Sequence, residues 1–538
     1  VAARARRLVV APLLLILLGV PSLGRAADDP DCLVEIGGVN LQTSTILDIQ
    51  QALSDGGLTS RQLVERYLQR IAFYDDSALD EDGMTLNSIR ELNPGALAEA
   101  DRLDAERAAG TVRGPLHGIP VLLKDNVGTK DLPTTAGSIA LEGSIPTQDA
   151  FLTARLRDAG AIILGKANLS EFANWVDPSM PSGYSSLGGQ VVAPYNLGNP
   201  SGSSSGSGVA TAMALSSASV GTETAGSIIS PSFTNSIVGL KPTVGLISRS
   251  GVIPLAESYD TAGPMVRTVT DAAVMLGGMV GVDTSDPESP ASESHLPPGH
   301  DYTPALQTTG LFGTRLGYDP SNRPSGAGGA LWDQALADLR AAGAELIDID
   351  DAQFDTTQNI WLAEYSSIPN EFKAGLNAYL ASQPDPPSGV DTLSDIIAFN
   401  GQHTDKVKYG QKWLQASDAT AGVREAGIPS REAARATSRT LINSTFSQYD
   451  LDAVISTNAT YVGVGAAAGY PTLTIPMGYT GSGRTPINLS FLGRAWSEPE
   501  LLRLGYAYEQ HSLRRVPPTS VNDALFPNDC TPPESQTA

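Results

Sequence analysis

Residues 201–231 read SGSSSGSGVATAMALSSASVGTETAGSIISP, and no other stretch limits the fold so strongly. Two clusters of glycine and small hydroxyl residues, at 201–208 and 222–227, lie on either side of a helix-length apolar segment. The first, read by itself, is either a bare linker or a tight turn. The second follows a short β-like run at 218–220 and is closed by Pro231, so it is not a free linker. A Gly- and Ser-rich turn that leads at once into an alanine-rich helix gathers backbone N–H groups and hydroxyls in one small volume, which suits an anion or an oxyanion. The same composition also describes a solvated loop, so a functional reading needs a chemical partner.

That partner lies upstream, in GPLHGIPVLLKDN at 114–126, where Lys124 ends an apolar run. A lysine buried at such a place has a lowered pKa and becomes a candidate base. The alternative is a strand-end lysine whose ammonium reaches water.

With these residues together, the chain resembles the amidase signature family. Lys124, Ser203 and Ser227 match that family's Lys, cis-Ser, Ser triad. Its glycine/serine motif, roughly GGSSGGS, is matched at 201–207 with serine in place of glycine at 201 and 205, and GLKPT at 239–243 is matched without change. The resemblance runs from about Leu58 to Gln510. Within the family, GSSSGS, GTET.GS and GLKPTVGL resemble the bacterial peptide amidases, which remove the C-terminal amide of peptides.

The resemblance implies an α/β fold in which a central mixed β-sheet is covered by α-helices on both faces. It implies Ser227 as nucleophile, Ser203 as proton shuttle on a cis Gly202–Ser203 bond, and Lys124 as a base that is neutral at rest. Amide hydrolysis needs those roles together with donors for the oxyanion, and Ser with Lys is a known variant of the serine triad. Backbone N–H groups of Thr224, Ala225, Gly226 and Ser227 are implied as the oxyanion hole, with Gly202 and Ser204 in support and no cofactor or metal. Three departures stand out: Glu223 replaces the family's usual Asp, Ile229 stands where many members carry Arg, and Ala225 occupies a position that is commonly Gly. If position 225 requires φ > 0, Ala is strained there by roughly 1 kcal/mol, which motivates an alternative reading as an inactive binding protein of the same fold. An amidase of small aliphatic or aromatic amides is a further alternative.

Five histidines are scattered at 117, 295, 300, 403 and 511, and the two cysteines lie at 32 and 530, so no spacing suggests a zinc or iron site. Arg4, Arg6 and Arg7 precede an apolar run at 8–20, and small residues follow at 24–27; residues 1–27 therefore read as a secretory signal peptide and the mature protein as secreted or periplasmic. The apolar run is too short for a comfortable membrane span, so no stable membrane partner is expected. In an oxidising compartment Cys32 and Cys530 are expected to pair, since no third thiol competes. The formal net charge is −23, which argues against nucleic acid as a partner and so against the tRNA-dependent amidotransferase subunit that shares the triad. The expected substrate is a small-molecule or peptide amide.

Along the chain, residues 28–45 show no period and are expected to wrap the surface. Helices are expected at 59–74, with Thr59 or Ser60 as N-cap and Leu63, Tyr67, Leu68 and Ile71 on one face. Another is expected at 94–110, with Pro94 at N1 and Gly110 just past its end. A third is expected at 147–159, and short buried strands at 120–124 and 161–165. A helix near 331–342, strands at 345–349 and 452–455, and helices between them through 440 complete the pattern. With strands at both ends resembling one family, residues 28–538 are expected to form a single catalytic domain, with surface connections near 283–302 and 382–390 and a tail at 513–538.

Overall fold

Short apolar runs bounded by glycine, proline or polar residues become buried strands. Pro120–Lys124, Ile162–Ala167 and Ala218–Glu223 are buried at every position. The computed structural model describes residues 33–79, 82–349, 357–383, 389–423, 428–481 and 483–525. The expected signal peptide, Cys32 with Cys530, part of the connection at 382–390 and the last residues of the tail lie outside them.

Among the described residues one sheet of 11 strands runs through the molecule. In spatial order its strands are Glu345–Asp348, Arg315–Tyr318, Ala453–Thr457, Thr485–Leu492, Thr472–Thr480, Val238–Lys241, Thr261–Val266, Ala218–Glu223, Pro120–Lys124, Ile162–Ala167 and Ile89–Leu92. Parallel pairs (Pro120–Lys124 with both of its neighbours, Arg315–Tyr318 with both of its own) stand on either side of a run of antiparallel ones. The sheet is therefore mixed, and α-helices flank it, as expected for the amidase signature α/β fold.

Two registers place the site. Pro120–Lys124 lies parallel to Ala218–Glu223 with Leu123 opposite Val220, so the C-terminal ends of both strands open at one edge, the usual ligand crevice of an α/β sheet. Thr261–Val266 runs antiparallel to Ala218–Glu223 with Thr261 opposite Glu223, which brings Asp260 beside Thr224. The helix Ser205–Ala212 is buried along its whole length. A Cβ on Gly206 would collide with the backbone oxygens of Ser88 and Asn168, so Gly206→Ala is expected to destabilise by about 2 kcal/mol or more, read as a lowered urea midpoint.

The helix Ser60–Arg70 starts as expected, with Thr59 as N-cap in a capping box with Gln62, and its axis continues through a π-helical turn at Ile71–Asp75. Other boundaries differ. The second helix begins at Ala96, not Pro94, because Asn93 Oδ1 accepts the Gly95 N–H at 2.8 Å and closes Pro94–Gly95 into a turn. The third begins at Phe151, not at 147; Asp149 Oδ1 accepts from Lys130 N–H and Ala150 donates to Gly128 O, so this lead-in is tied to another loop. A helix at Ile46–Ser54 was not expected. Its buried positions, Ile46, Ile49 and Leu53, keep the i, i+3, i+7 spacing of one helix face, and Thr45 forms a capping box with Asp48, so this helix was signalled locally. The segment at 283–302 is more than a surface connection, since Asp286 is buried against Arg249 and Asp283 Oδ2 accepts from Ser248 Oγ at 2.6 Å.

A second apolar cluster lies over the open strand ends. It joins Phe172, Trp175 and Val176 to Ile368, Phe372, Leu393 and Leu414, which come from the helices Thr357–Ala381, Leu393–Asn400 and Lys412–Asp418. The cluster roofs the site.

Candidate active site

Successive residues of a strand face opposite sides of the sheet, and the end of Pro120–Lys124 uses both. Asp125, just beyond it, is fully buried with Arg90 Nε at 2.7 Å and Lys166 Nζ at 3.7 Å. Thr135 Oγ1 also donates to its carboxylate. Lys124 turns the other way, towards the serine loop. Its Nζ lies 2.7 Å from Ser203 Oγ, 2.9 Å from Thr222 Oγ1 and 3.2 Å from Thr222 O. Burial pushes the Lys124 pKa down to about 7, against the opposing pull of the Asp260 and Glu223 carboxylates. The lysine is thus partly neutral near pH 7 and increasingly so above it, with a lone pair for the Ser203 proton.

The Gly202–Ser203 peptide is cis, as expected. Ser204, the N-cap residue of Ser205–Ala212, donates its hydroxyl to Thr222 O at 3.0 Å and accepts from Thr222 N–H at 3.2 Å. Gly221 leaves room for this contact, since a Cβ there would stand 2.9 Å from Ser204 Oγ. Ser204 N–H also donates to Ser227 O at 3.1 Å. Ser227 is therefore held against the Ser203–Ser204 turn through its backbone, and not through a hydroxyl bond to Ser203.

Ser227 is 8% exposed, and it lines a cavity of about 100 Å3 together with Gly202, Thr224 and Ala225. Among the described residues, the backbone N–H groups of Thr224, Ala225, Gly226 and Ser227 donate to no other protein group. Orphaned donors grouped around one hydroxyl are what a developing oxyanion requires. Two of the three departures from the family pattern, Ala225 and Glu223, find their explanations here. Gly226, at φ 91, takes the left-handed conformation in this turn, and Ala225 is not among the residues with positive φ; the anticipated strain at Ala225 is absent. Glu223 reaches over the turn, and its Oε2 accepts from Ile228 N–H at 2.7 Å and Ile229 N–H at 2.9 Å, closing the loop onto the helix Ile229–Thr234.

Sequence reasoning missed Asp260. Its carboxylate accepts from Thr224 Oγ1, from Leu255 N–H at 2.8 Å and from Ala256 N–H at 3.0 Å. It thereby ties the serine loop to a wall of the cavity. Burial pushes its carboxyl up to about 7 against these bonds. An isolated acid before an apolar strand was its only trace in the sequence. The cavity's other walls, Ala173, Asn174, Trp175, Leu255, Tyr259, Ile368 and Trp413, were equally illegible. Among the described residues no three or more His, Cys, Asp or Glu side chains converge to hold a metal ion, and no helix is long and apolar enough to cross a membrane.

The family model described as Amidase matches residues 62–460. The chain belongs to the amidase family. A probable amidase of Arabidopsis thaliana is 40% identical over 493 residues, covering 89% of this chain and 92% of that protein. The native peptide amidase of Stenotrophomonas maltophilia superposes with a TM-score of 0.81 at 41% identity, covering 88% of this chain and 98% of that one. A peptide amidase in complex with the competitive inhibitor chymostatin gives a TM-score of 0.81 at 42% identity, over 88% of this chain and 99% of that one. The present amidase is thus a serine-based hydrolase of the amidase-signature type.

Proposed function

We propose that the enzyme hydrolyses the C-terminal carboxamide of peptides to a carboxylate and ammonia. The observation that carries this reading is the buried 2.7 Å contact between Lys124 Nζ and Ser203 Oγ beside the cavity into which Ser227 opens. Neutral Lys124 takes the Ser203 proton while Ser203 takes that of Ser227. Ser227 Oγ attacks the amide carbon, and its C=O electron pair moves onto oxygen, among the orphaned N–H groups of the 224–227 turn. As the C–N bond breaks, the proton returns through Ser203 to nitrogen and ammonia leaves. Water then attacks the ester by the same relay, and its proton restores Ser227.

The likeness to peptide amidases over nearly their whole length supports the peptide substrate. So does the wall of Trp175, Leu255, Ile368 and Trp413, which suits an uncharged side chain next to the scissile group. Incubation of an amidated peptide is expected to yield a mass gain of about 1 Da, the replacement of NH2 by OH, together with ammonia. Internal cleavage, or turnover confined to small amides, would overturn the peptide assignment.

A further inference from the structure

Phe172, Ala173 and Asn174 take successive left-handed torsions, with φ of 46°, 56° and 75°. Three L-residues in a row in that region persist only when their surroundings hold them. Phe172 N–H donates to Ala136 O at 2.9 Å, and Asn174 N–H to Ser170 O at 3.3 Å. The Trp175 indole N–H donates to Ser417 Oγ at 3.0 Å, and its ring stacks on Trp413 with centroids 4.6 Å apart. Ser170, at the base of the turn, donates its N–H to Ser203 O at 3.0 Å. The turn is therefore attached both to the roof and to the serine loop.

Its product is the placement of Asn174. This residue lines the small cavity that also holds Ser227 and Gly202. Its Oδ1 is buried with no hydrogen-bond partner. A buried carbonyl oxygen left unpaired is costly, and strained backbone that presents one to a cavity is characteristic of a functional site.

We propose that Asn174 Oδ1 accepts a hydrogen bond from the scissile carboxamide nitrogen and thereby selects primary amides over N-substituted ones. The inference rests on the proposed amide hydrolysis. With the substrate's carbonyl oxygen held at the 224–227 turn, the polar atoms left on the reacting group are its N–H hydrogens. A primary amide carries two. A trans secondary amide carries one, with carbon replacing the hydrogen on the side of the carbonyl oxygen. An acceptor serving that hydrogen is satisfied by NH2, whereas an N-alkyl group both crowds it and leaves it unpaired. Selection of a C-terminal amide over an internal peptide bond follows.

The test compares kcat/KM for an amidated peptide and for the same peptide's N-methylamide in the wild type, Asn174→Gly and Asn174→Asp. Glycine at φ 75° removes the side chain without strain, and aspartate keeps an acceptor oxygen at the same reach while tolerating that torsion. The wild type is expected to prefer the primary amide by roughly 100-fold or more. Asn174→Gly is expected to cut that ratio about tenfold or more, mainly through the primary amide, and Asn174→Asp to recover part of it. A ratio in Asn174→Gly within about twofold of wild type, in protein that still labels at Ser227 with a fluorophosphonate, overturns the inference and leaves Asn174 a turn residue only. A wild type that cleaves small primary amides but no peptide amide overturns the peptide substrate alone, and the ratio is then read on those amides and their N-methyl analogues.

Discussion

Replacing Ser227 with alanine is expected to lower kcat/KM for amides by about four orders of magnitude or more and to abolish labelling by a fluorophosphonate. The size of the effect follows from what remains. The orphaned N–H groups at 224–227 are main-chain groups and survive the substitution, so the variant can still bind a carbonyl, but it has no oxygen with which to form the acyl-enzyme. Ser227 contributes no buried packing comparable to that of Lys124 or Asp125, and its backbone bond from Ser204 is retained. The unfolding free energy is therefore expected to stay within about 0.5 kcal/mol of wild type. Intact-mass spectrometry after labelling checks the first expectation and urea denaturation the second. Residual labelling at another serine would move the nucleophile away from position 227.

Lys124→Met is expected to lower kcat/KM by about 10³-fold, the scale of a lost general base, and to remove the acid limb of the pH profile. The wild-type limb should lie near pH 7, where the buried amine gains its proton, with activity falling as pH drops. Stability gives an independent readout. The ordinary lysine value is 10.5 and the folded one about 7, so between these limits the unfolded chain binds a proton that the folded enzyme does not. Folding is penalised by this group in full below about pH 7, and the penalty fades as pH rises to 10.5. Methionine carries no such penalty. The variant's stability relative to wild type should therefore be most favourable below pH 7 and decline towards pH 10.5, as measured by denaturant unfolding across that range. A flat activity profile in the wild type from pH 5 to pH 9 would remove Lys124 from the role of base.

What could be read from the sequence was whatever depends on near neighbours along the chain. The apolar runs at 120–124 and 161–165 are short and bounded by glycine, proline or lysine, the pattern of strands in a covered sheet, and a capping box at Thr59 announces its own helix. The identities of Lys124, Ser203 and Ser227 came with their flanking motifs. The tertiary structure decided the rest, because the deciding contacts join residues far apart in the chain. Lys124 loses its proton near neutrality because the sheet and its covering helices bury it completely. Asp260 meets Thr224 through an antiparallel register that no local pattern encodes. Whether Ala225 was strained depended on which residue of the turn takes the left-handed torsion, and the fold assigns it to Gly226. The roof from Ile368 and Trp413 and the aim of Asn174 likewise exist only once the 364–418 helices have packed over the strand ends, since side-chain direction in a loop is set by the surfaces that trap it and not by its own sequence.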